Sequence, residues 1–160
     1  MLKEDILEKI IAALTADLAL FTLAARTAHA AATHAECLPD NKYDTTALEA
    51  SYVAQGQANR AQDIRRALES YRNLKLRPFS DSVPIRLTAL ITVEAEDGSC
   101  RRFFLGPAAG GLKLSEQGEE YLVITPESAL GRALLGKSCG DELQIGSGIA
   151  RKTFTIAAVS

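Results

Sequence analysis

The sequence contains no tryptophan, few other aromatic residues and only three cysteines. Aromatic residues make up 6% of the 160 positions, as five phenylalanines and four tyrosines. Cys37, Cys100 and Cys139 are widely spaced and form no Cys-x-x-Cys pair, so neither a disulfide framework nor a zinc site is expected. We therefore expect a protein of a reducing compartment such as the cytoplasm, with alanine-rich, closely packed helices rather than a large aromatic core.

Long apolar runs and a strong net charge are also missing. No apolar run approaches the roughly 20 residues of a membrane span, and acidic residues precede the apolar stretch at 18–25, so neither a membrane helix nor a secretory signal is expected. The net charge of −2 excludes a polycation, but the charge is uneven. Residues 36–49 carry four acids and one base, and residues 60–77 carry six bases and two acids. The sequence thus contains an acidic patch followed by a basic patch. The basic patch is either a solvated helix face or a contact surface for RNA or a protein partner.

The first half of the chain has the pattern of two long helices. Residues 3 to about 35 contain neither glycine nor proline, and apolar residues recur every three or four positions. Pro39, with Asp40 and Asn41, ends this pattern in a turn. A second helix is predicted from about Thr46 to about residue 75. Residues 1–77 therefore predict an antiparallel helical hairpin with its tip near 37–44.

The second half has the pattern of a small β-rich domain. After a polar linker at 78–82, the spacing between apolar residues becomes shorter than in the helices. Turn residues separate short segments of this kind, as between β-strands. A short helix with Gly136 as its stop interrupts the strands. The α+β class follows, with a domain at 83–160. The predicted strands are Arg86–Glu96, Cys100–Leu105, Tyr121–Ile124, Glu142–Ile145 and Thr153–Val159, the segment 106–118 is predicted to be loop-rich, and the helix is predicted at Pro126–Leu135.

The most specific sequence motif is the segment 124–143, which reads ITPESALGRALLGKSCGDEL. It resembles the C-terminal signature of the bacterial Gre transcript-cleavage and transcription elongation factors, with Ala129 where that family usually has proline. Apart from Ala129, the segment fits this signature from Ser128 to Asp141.

This resemblance extends over the whole chain and implies both a fold and a function. It implies a coiled-coil hairpin followed by an FKBP-like domain that docks on RNA polymerase near its secondary channel. The chain is then no enzyme by itself but a regulator of the polymerase's own cleavage of backtracked RNA, and it meets nascent RNA or DNA only inside the elongation complex. The docking residues implied are Ser128, Leu130, Gly131, Arg132, Leu134 and Gly136.

In the Gre family, acidic residues at the hairpin tip help to hold Mg²⁺ in the polymerase active site. Two-metal cleavage of a phosphodiester requires oxygen ligands for each metal, and carboxylates at the end of a long rod can deliver them. Asp40, Asn41 and Tyr43 match the family's tip. Cys37 stands where the family has its other acid, so Glu36 and Asp44 are the candidates for the second carboxylate, and an incomplete pair would make the chain a modulator or inhibitor rather than a stimulator.

Two other functions remain open from the sequence. The first is peptidyl-prolyl isomerase activity of the FKBP type, which needs an aromatic-lined pocket. The second is a coiled-coil adaptor without channel entry, for which Leu130 or Leu134 would matter to partner binding and the tip would not. The aromatic residues available for an isomerase pocket are Phe79, Phe103, Phe104, Tyr121 and Phe154.

Overall fold

The computed structural model describes residues 2–33 and 46–160, and the fold is α+β. The chain divides into two compact units, one of residues 1–10 with 70–160 and the other of residues 11–69. The first two turns of helix α1 and the end of helix α2 therefore belong with the sheet. In the described part of the chain, no helix is both long and apolar enough to cross a membrane.

Helices α1 (Leu2–Thr33) and α2 (Thr46–Arg72) form the predicted hairpin. The guanidinium of Arg60 lies 5.8 Å from the ring centre of Phe21. Farther along the hairpin, Ala25 of α1 and Ala54 of α2 line one surface groove. Residue numbers thus rise on one helix as they fall on the other, which is the antiparallel arrangement. Helix α2 ends three residues before the predicted position, and Leu74 N–H donates to the carbonyl of Tyr71 at 3.2 Å.

A six-stranded mixed sheet forms the C-terminal half, in the order β3-β4-β2-β1-β6-β5. All neighbouring strands are antiparallel except β2 and β4, which are parallel. A short helix, α3, lies between β4 and β5. The strands are β1 (Leu90–Ala95), β2 (Cys100–Leu105), β3 (Lys113–Glu116), β4 (Glu119–Ile124), β5 (Glu142–Ile145) and β6 (Lys152–Val159), and α3 spans Ala129–Leu134.

The largest departures from the strand predictions are at β1 and β3, whereas β4 and β6 begin only two residues and one residue earlier than predicted. Strand β1 begins at Leu90 instead of Arg86 because the chain turns at Thr88, which has a φ of 78° and is buried. The segment predicted to be loop-rich contains β3, which pairs with β4 through a two-residue turn. Both turn residues, Gln117 and Gly118, have positive φ, at 52° and 80°, as a tight hairpin turn of type I′ requires.

The core of the sheet unit is built from alternate residues of the strands and from the end of α2. Phe103, Leu105 and Ile156 are fully buried, as is Leu134 from α3. Burial of this kind provides the main favourable term in folding, at about 25 cal/mol per Å² of apolar surface.

Tyr71 joins the last turn of α2 to the loop after β2. Its ring is fully buried, and its hydroxyl donates to the carbonyl of Ala108 at 2.5 Å. A Cβ on Gly106 would lie 2.1 Å from the Tyr71 oxygen, so this contact requires glycine at position 106. Burial raises the pKa of Tyr71.

The first turns of α1 are fixed to the sheet unit by two lysines. Lys3 Nζ donates to the carbonyl of Arg77 and lies 4.5 Å from the ring centre of Phe79. Lys9 Nζ forms an ion pair of 2.7 Å with Glu116 and also donates to the carbonyl of Ser115 on the edge strand β3. The N-terminal residues therefore cover part of an edge strand that would otherwise be open.

Candidate functional site

Helix α3 begins with a side-chain cap made by Ser128. The Ser128 Oγ accepts a hydrogen bond from Gly131 N–H at 3.0 Å and donates to the carbonyl of Thr125 at 2.7 Å. The backbone at Ser128 is extended, as expected for a residue that precedes a helix. Ser128 therefore caps α3, and its hydroxyl is fully engaged in holding the helix start.

Gly131 lies where the helix passes closest to the preceding chain. A Cβ at this position would lie 1.9 Å from the carbonyl oxygen of Thr125, a distance at which two unbonded heavy atoms cannot coexist. Gly131 is buried. The glycine of the motif thus allows α3 to pack directly on the end of β4.

The end of α3 is tied to the segment that precedes β1. Gly136 has a φ of 82°, which favours glycine and stops the helix, as predicted. Its N–H donates to the carbonyl of Ile85 at 2.9 Å, and Ile85 N–H donates to the carbonyl of Lys137 at 2.8 Å. These reciprocal hydrogen bonds place a helix of only six residues rigidly on the sheet.

The residues of α3 divide into an inner and an outer set. Leu134 is fully buried, and Leu130 is partly buried against the core. The outer set consists of Ala129 and Arg132, and Leu135, directly after the helix, is also exposed over 46% of its surface. Of the residues predicted to dock, Ser128, Gly131, Leu134 and Gly136 shape the helix, and Arg132 is the one that the structure leaves exposed for an ion pair.

Next to α3 lies a shallow groove of about 480 Å³ toward strands β5 and β6. It carries one base and one acid, and no aromatic residue lines it. No sequence pattern indicated this surface, because its members come from three elements brought together by strand pairing. The lining residues are Ala133, Lys137, Glu142, Leu143, Gln144 and Thr153.

A second groove, of about 260 Å³, shares Thr153 with the first and includes Asp97 and Lys152. Hydrogen bonds from the hydroxyl and the N–H of Ser99 hold the pKa of Asp97 well below its usual range, and Lys152 adds to this at 3.1 Å. Because the carboxylate is already used by the β1–β2 turn and the ion pair, this groove is explained by turn structure.

The predicted tip residues lie outside the described residues. These are Glu36, Asp40, Asn41, Tyr43 and Asp44, and Cys37 lies there too. Within residues 2–33 and 46–160, no group of three or more His, Cys, Asp or Glu side chains is placed to hold a metal ion.

All six bases of the predicted basic patch are exposed. Arg65 donates to the side-chain oxygen of Gln62 at 3.3 Å, and Arg66 lies 4.0 Å from the carboxylate of Asp63. These contacts lie within one helix and are solvated, so they are weak. The bases are Arg60, Arg65, Arg66, Arg72, Lys75 and Arg77.

The aromatic residues considered for an isomerase pocket are used elsewhere. Phe103 and Phe104 are fully buried, and Tyr121 and Phe154 are 5% and 4% exposed. Phe79 is half-buried beneath the Lys3 ammonium group. None of them lines either of the two grooves on the sheet unit.

No protein-family model matches the sequence, and no curated protein does. Solved structures that resemble the chain include Gfh1 and GreA/GreB transcription elongation factors. A structure of the transcription factor Gfh1 is 19% identical, with a TM-score of 0.41 over 96% of this chain and 92% of that one. The Gfh1 protein of Thermus thermophilus, a GreA factor homologue, is 19% identical, with a TM-score of 0.40 over 94% of each chain.

A prokaryotic GreA/GreB elongation factor from Nitrosomonas europaea is 16% identical, with a TM-score of 0.38. The alignment covers 61% of this chain and 78% of that one.

Proposed function

We propose that this chain is a Gre-like regulator of transcription elongation, which binds RNA polymerase at its secondary channel and stimulates or modulates cleavage of backtracked RNA. The observation that supports it most is the segment 124–143. Its Gre-like residues have definite physical roles here, since Ser128 caps α3, Gly131 permits its close packing and Gly136 ends it. A fixed short helix is a suitable element for docking on a partner surface.

The proposed division of labour follows the two units. Helix α3 and the groove beside it dock on the polymerase, with Arg132 and Leu135 as the exposed contacts. The hairpin formed by α1 and α2 enters the channel, and the basic residues of α2 face polymerase or nascent RNA. The FKBP-like domain serves as the docking module and the chain acts in the cytoplasm, without catalysis of its own.

At the tip, the proposed role of Asp40 is to supply an oxygen ligand inside the polymerase active site. Mg²⁺ recruited there would supply the Lewis acid and activated water for phosphodiester hydrolysis. Asn41 and Tyr43 would position the acid, and Glu36 or Asp44 would provide the second carboxylate.

The test is RNA cleavage in stalled, backtracked elongation complexes. The wild-type chain is expected to accelerate cleavage, and Asp40→Asn to remove most of the acceleration, about 10²-fold or more for the loss of a metal ligand. Glu36→Gln and Asp44→Asn, tested separately, identify the second acid. If the wild type instead slows cleavage stimulated by an authentic Gre factor, the chain is a channel competitor.

Docking is tested separately, by competition for polymerase binding. Arg132→Glu is expected to weaken binding about tenfold or more, because a charge of the wrong sign replaces an exposed base. Glu127→Arg, next to the same helix, is the matched control for surface charge. Leu134→Ala is unsuitable, since Leu134 is fully buried and its truncation would destabilise the fold.

The proposal would be contradicted if the wild type, at every concentration tested, neither accelerated cleavage nor competed with an authentic Gre factor. The isomerase alternative is tested by a proline-isomerisation assay, in which we expect no activity. The adaptor alternative requires that polymerase binding be retained while every tip variant behaves as the wild type.

A further inference from the structure

The seam of the helical hairpin can be followed along α2 by its least exposed residues. Between residues 48 and 68 these residues recur every three or four positions, and every other residue of this stretch is exposed. Gln57 is the one member of the set with a polar side chain. The seam residues are Ala50, Ala54, Gln57, Ala61, Ile64 and Leu68, with Ala67 beside the last.

Burial along this seam ends at Gln57. Ala61, Ile64 and Leu68 are 3%, 3% and 2% exposed, and Leu14 on α1 is 4% exposed. We define the proximal hairpin as residues 11–21 with 58–69, and the distal hairpin as residues 22–31 with 48–57. The distal hairpin contains no buried residue. Because helices gain most of their stability from a packed apolar face, the distal hairpin is held less firmly than the proximal one.

Contacts between the helices place Gln57 at the boundary of these two parts. On its proximal side, the guanidinium of Arg60 lies 5.8 Å from the ring centre of Phe21, within the range of a cation–π interaction. On its distal side, Ala54 and Ala25 line one groove. Gln57 therefore lies between a part of the seam that is closed by packing and a part that is not.

The side chain of Gln57 weakens the closed seam. Its amide oxygen is buried and has no hydrogen-bond donor among the residues that the structure describes. A buried oxygen without a donor costs free energy, and this cost is recovered when the oxygen reaches water. Opening of the seam at Gln57 is therefore favoured relative to opening at an apolar seam residue.

Gly56 weakens α2 at the same point for a different reason. A Cβ placed on Gly56 would have nothing within 4 Å, so packing does not require glycine at this position. Glycine inside a helix is unfavourable because it has more backbone freedom to lose than alanine has. Helix α1 contains no glycine. Two independent weaknesses thus stand side by side in α2, where the buried seam ends.

We infer that Gly56 and Gln57 form a hinge in α2, at which the distal hairpin bends or opens as a unit while the proximal hairpin stays closed. Glycine is one of the recognised causes of a bend in a helix, and segments with few buried contacts open without global unfolding. The hinge is therefore a conformational device that belongs to the hairpin itself.

A hinge at this position allows the distal hairpin to change direction at little cost in free energy. The buried seam meanwhile keeps the proximal hairpin in one conformation. For a hairpin that enters a channel, the hinge allows the leading part to adapt its path. This last consequence rests on the proposed function, whereas the hinge does not.

The test is hydrogen exchange of the full chain without polymerase, measured by mass spectrometry of overlapping peptides. In the wild type, amide protection is expected to be about tenfold or more lower in the distal hairpin than in the proximal hairpin. Gln57→Leu removes the unpaired oxygen and is expected to raise distal protection about tenfold. Proximal protection is expected to rise less than about twofold, because the hinge limits the effect to one side.

Gly56→Ala is expected to raise distal protection about two- to fivefold, through the loss of backbone freedom. Gln62→Leu is the matched control, because it makes the same replacement at an exposed position of α2. This control is expected to leave distal protection unchanged.

Three results would each overturn the inference. These are equal wild-type protection on the two sides of Gln57, a gain from Gln57→Leu spread evenly over both parts of the hairpin, and a gain from Gln62→Leu as large as that from Gln57→Leu. Because polymerase is absent, none of these results depends on the proposed function, and the cleavage experiment can fail while the hinge is present.

Discussion

At the scale of single residues, the glycine at position 131 has the most sharply defined role. A Cβ added there would lie 1.9 Å from the Thr125 oxygen, so any side chain must displace α3 from β4. Gly131→Ala is therefore expected to lower the free energy of unfolding by about 2 kcal/mol or more. Urea denaturation followed by circular dichroism measures this change.

Gly56 is the matched control, because it lies within α2 with nothing within 4 Å of a Cβ placed there. Gly56→Ala is expected to raise stability by about 0.5–1 kcal/mol, since alanine loses less backbone entropy in a helix. Equal effects of the two substitutions would contradict the steric role assigned to Gly131.

Tyr71 gives the fold a definite dependence on alkaline pH. Burial raises its pKa in the folded chain, whereas the unfolded chain ionises near pH 10. Above about pH 10 the unfolded state has lost a proton that the folded state still holds, so stability contributed by this residue falls as pH rises. Tyr71→Phe is expected to lower stability by about 1 kcal/mol near pH 8 through the lost hydrogen bond.

The difference in unfolding free energy between wild type and Tyr71→Phe should shrink above pH 10, because phenylalanine cannot ionise. Denaturation curves at pH 8, 9, 10 and 11 measure it. A difference that stays constant across this range would show that the Tyr71 hydroxyl titrates alike in both states.

At the scale of elements, the first turn of α1 shows how burial competes with favourable contacts. Desolvation lowers the pKa of Lys3 to about 8, although the carboxylate of Glu4 opposes the shift. Between about pH 8 and the ordinary lysine pKa of 10.5, the unfolded chain binds a proton on this amine that the folded chain has lost. The stability contributed by Lys3 therefore rises with pH in this window. Below about pH 8, the desolvated, protonated amine lowers the stability of the fold slightly.

Lys3→Met tests this assignment, because methionine keeps an apolar side chain beside Phe79 without the titration. Relative to this variant, the wild type is expected to gain stability from about pH 8 to about pH 10.5, by less than about 1 kcal/mol given how exposed the side chain is. Thermal unfolding at matched pH values measures the difference in stability between the wild type and Lys3→Met. A difference that stays constant over this pH range, or that changes in favour of Lys3→Met, would refute the assignment.

At the scale of the whole molecule, burial is unevenly distributed. The sheet unit contains the fully buried residues Phe103, Leu105 and Ile156, whereas the helical segments 15–31 and 48–60 contain no buried residue. Local opening follows such differences, since segments with few buried contacts open without global unfolding. Amides of the helical segments 15–31 and 48–60 should show protection at least about 100-fold lower than those of β1 and β2. Equal protection in both regions would indicate a single cooperative unit.

Local sequence patterns were sufficient for much of the architecture. The helical hairpin, the α+β class, and the bounds of β2 and β5 all follow from the spacing of apolar residues and from turn residues. The Ser128 cap and the Gly136 stop were predictable for the same reason. Each depends on interactions among residues only a few positions apart, which a sequence displays directly.

The tertiary structure alone decided which of these local pieces meet. The parallel pairing of β2 with β4 and the contact of Tyr71 with Gly106 join residues that are distant in sequence. Within the Gre-like motif, burial separates Leu134, which belongs to the core, from Arg132, which faces solvent. The sequence by itself determined the elements and the motif, whereas burial and strand order, which depend on long-range packing, decided which motif residues form a surface that a partner can contact.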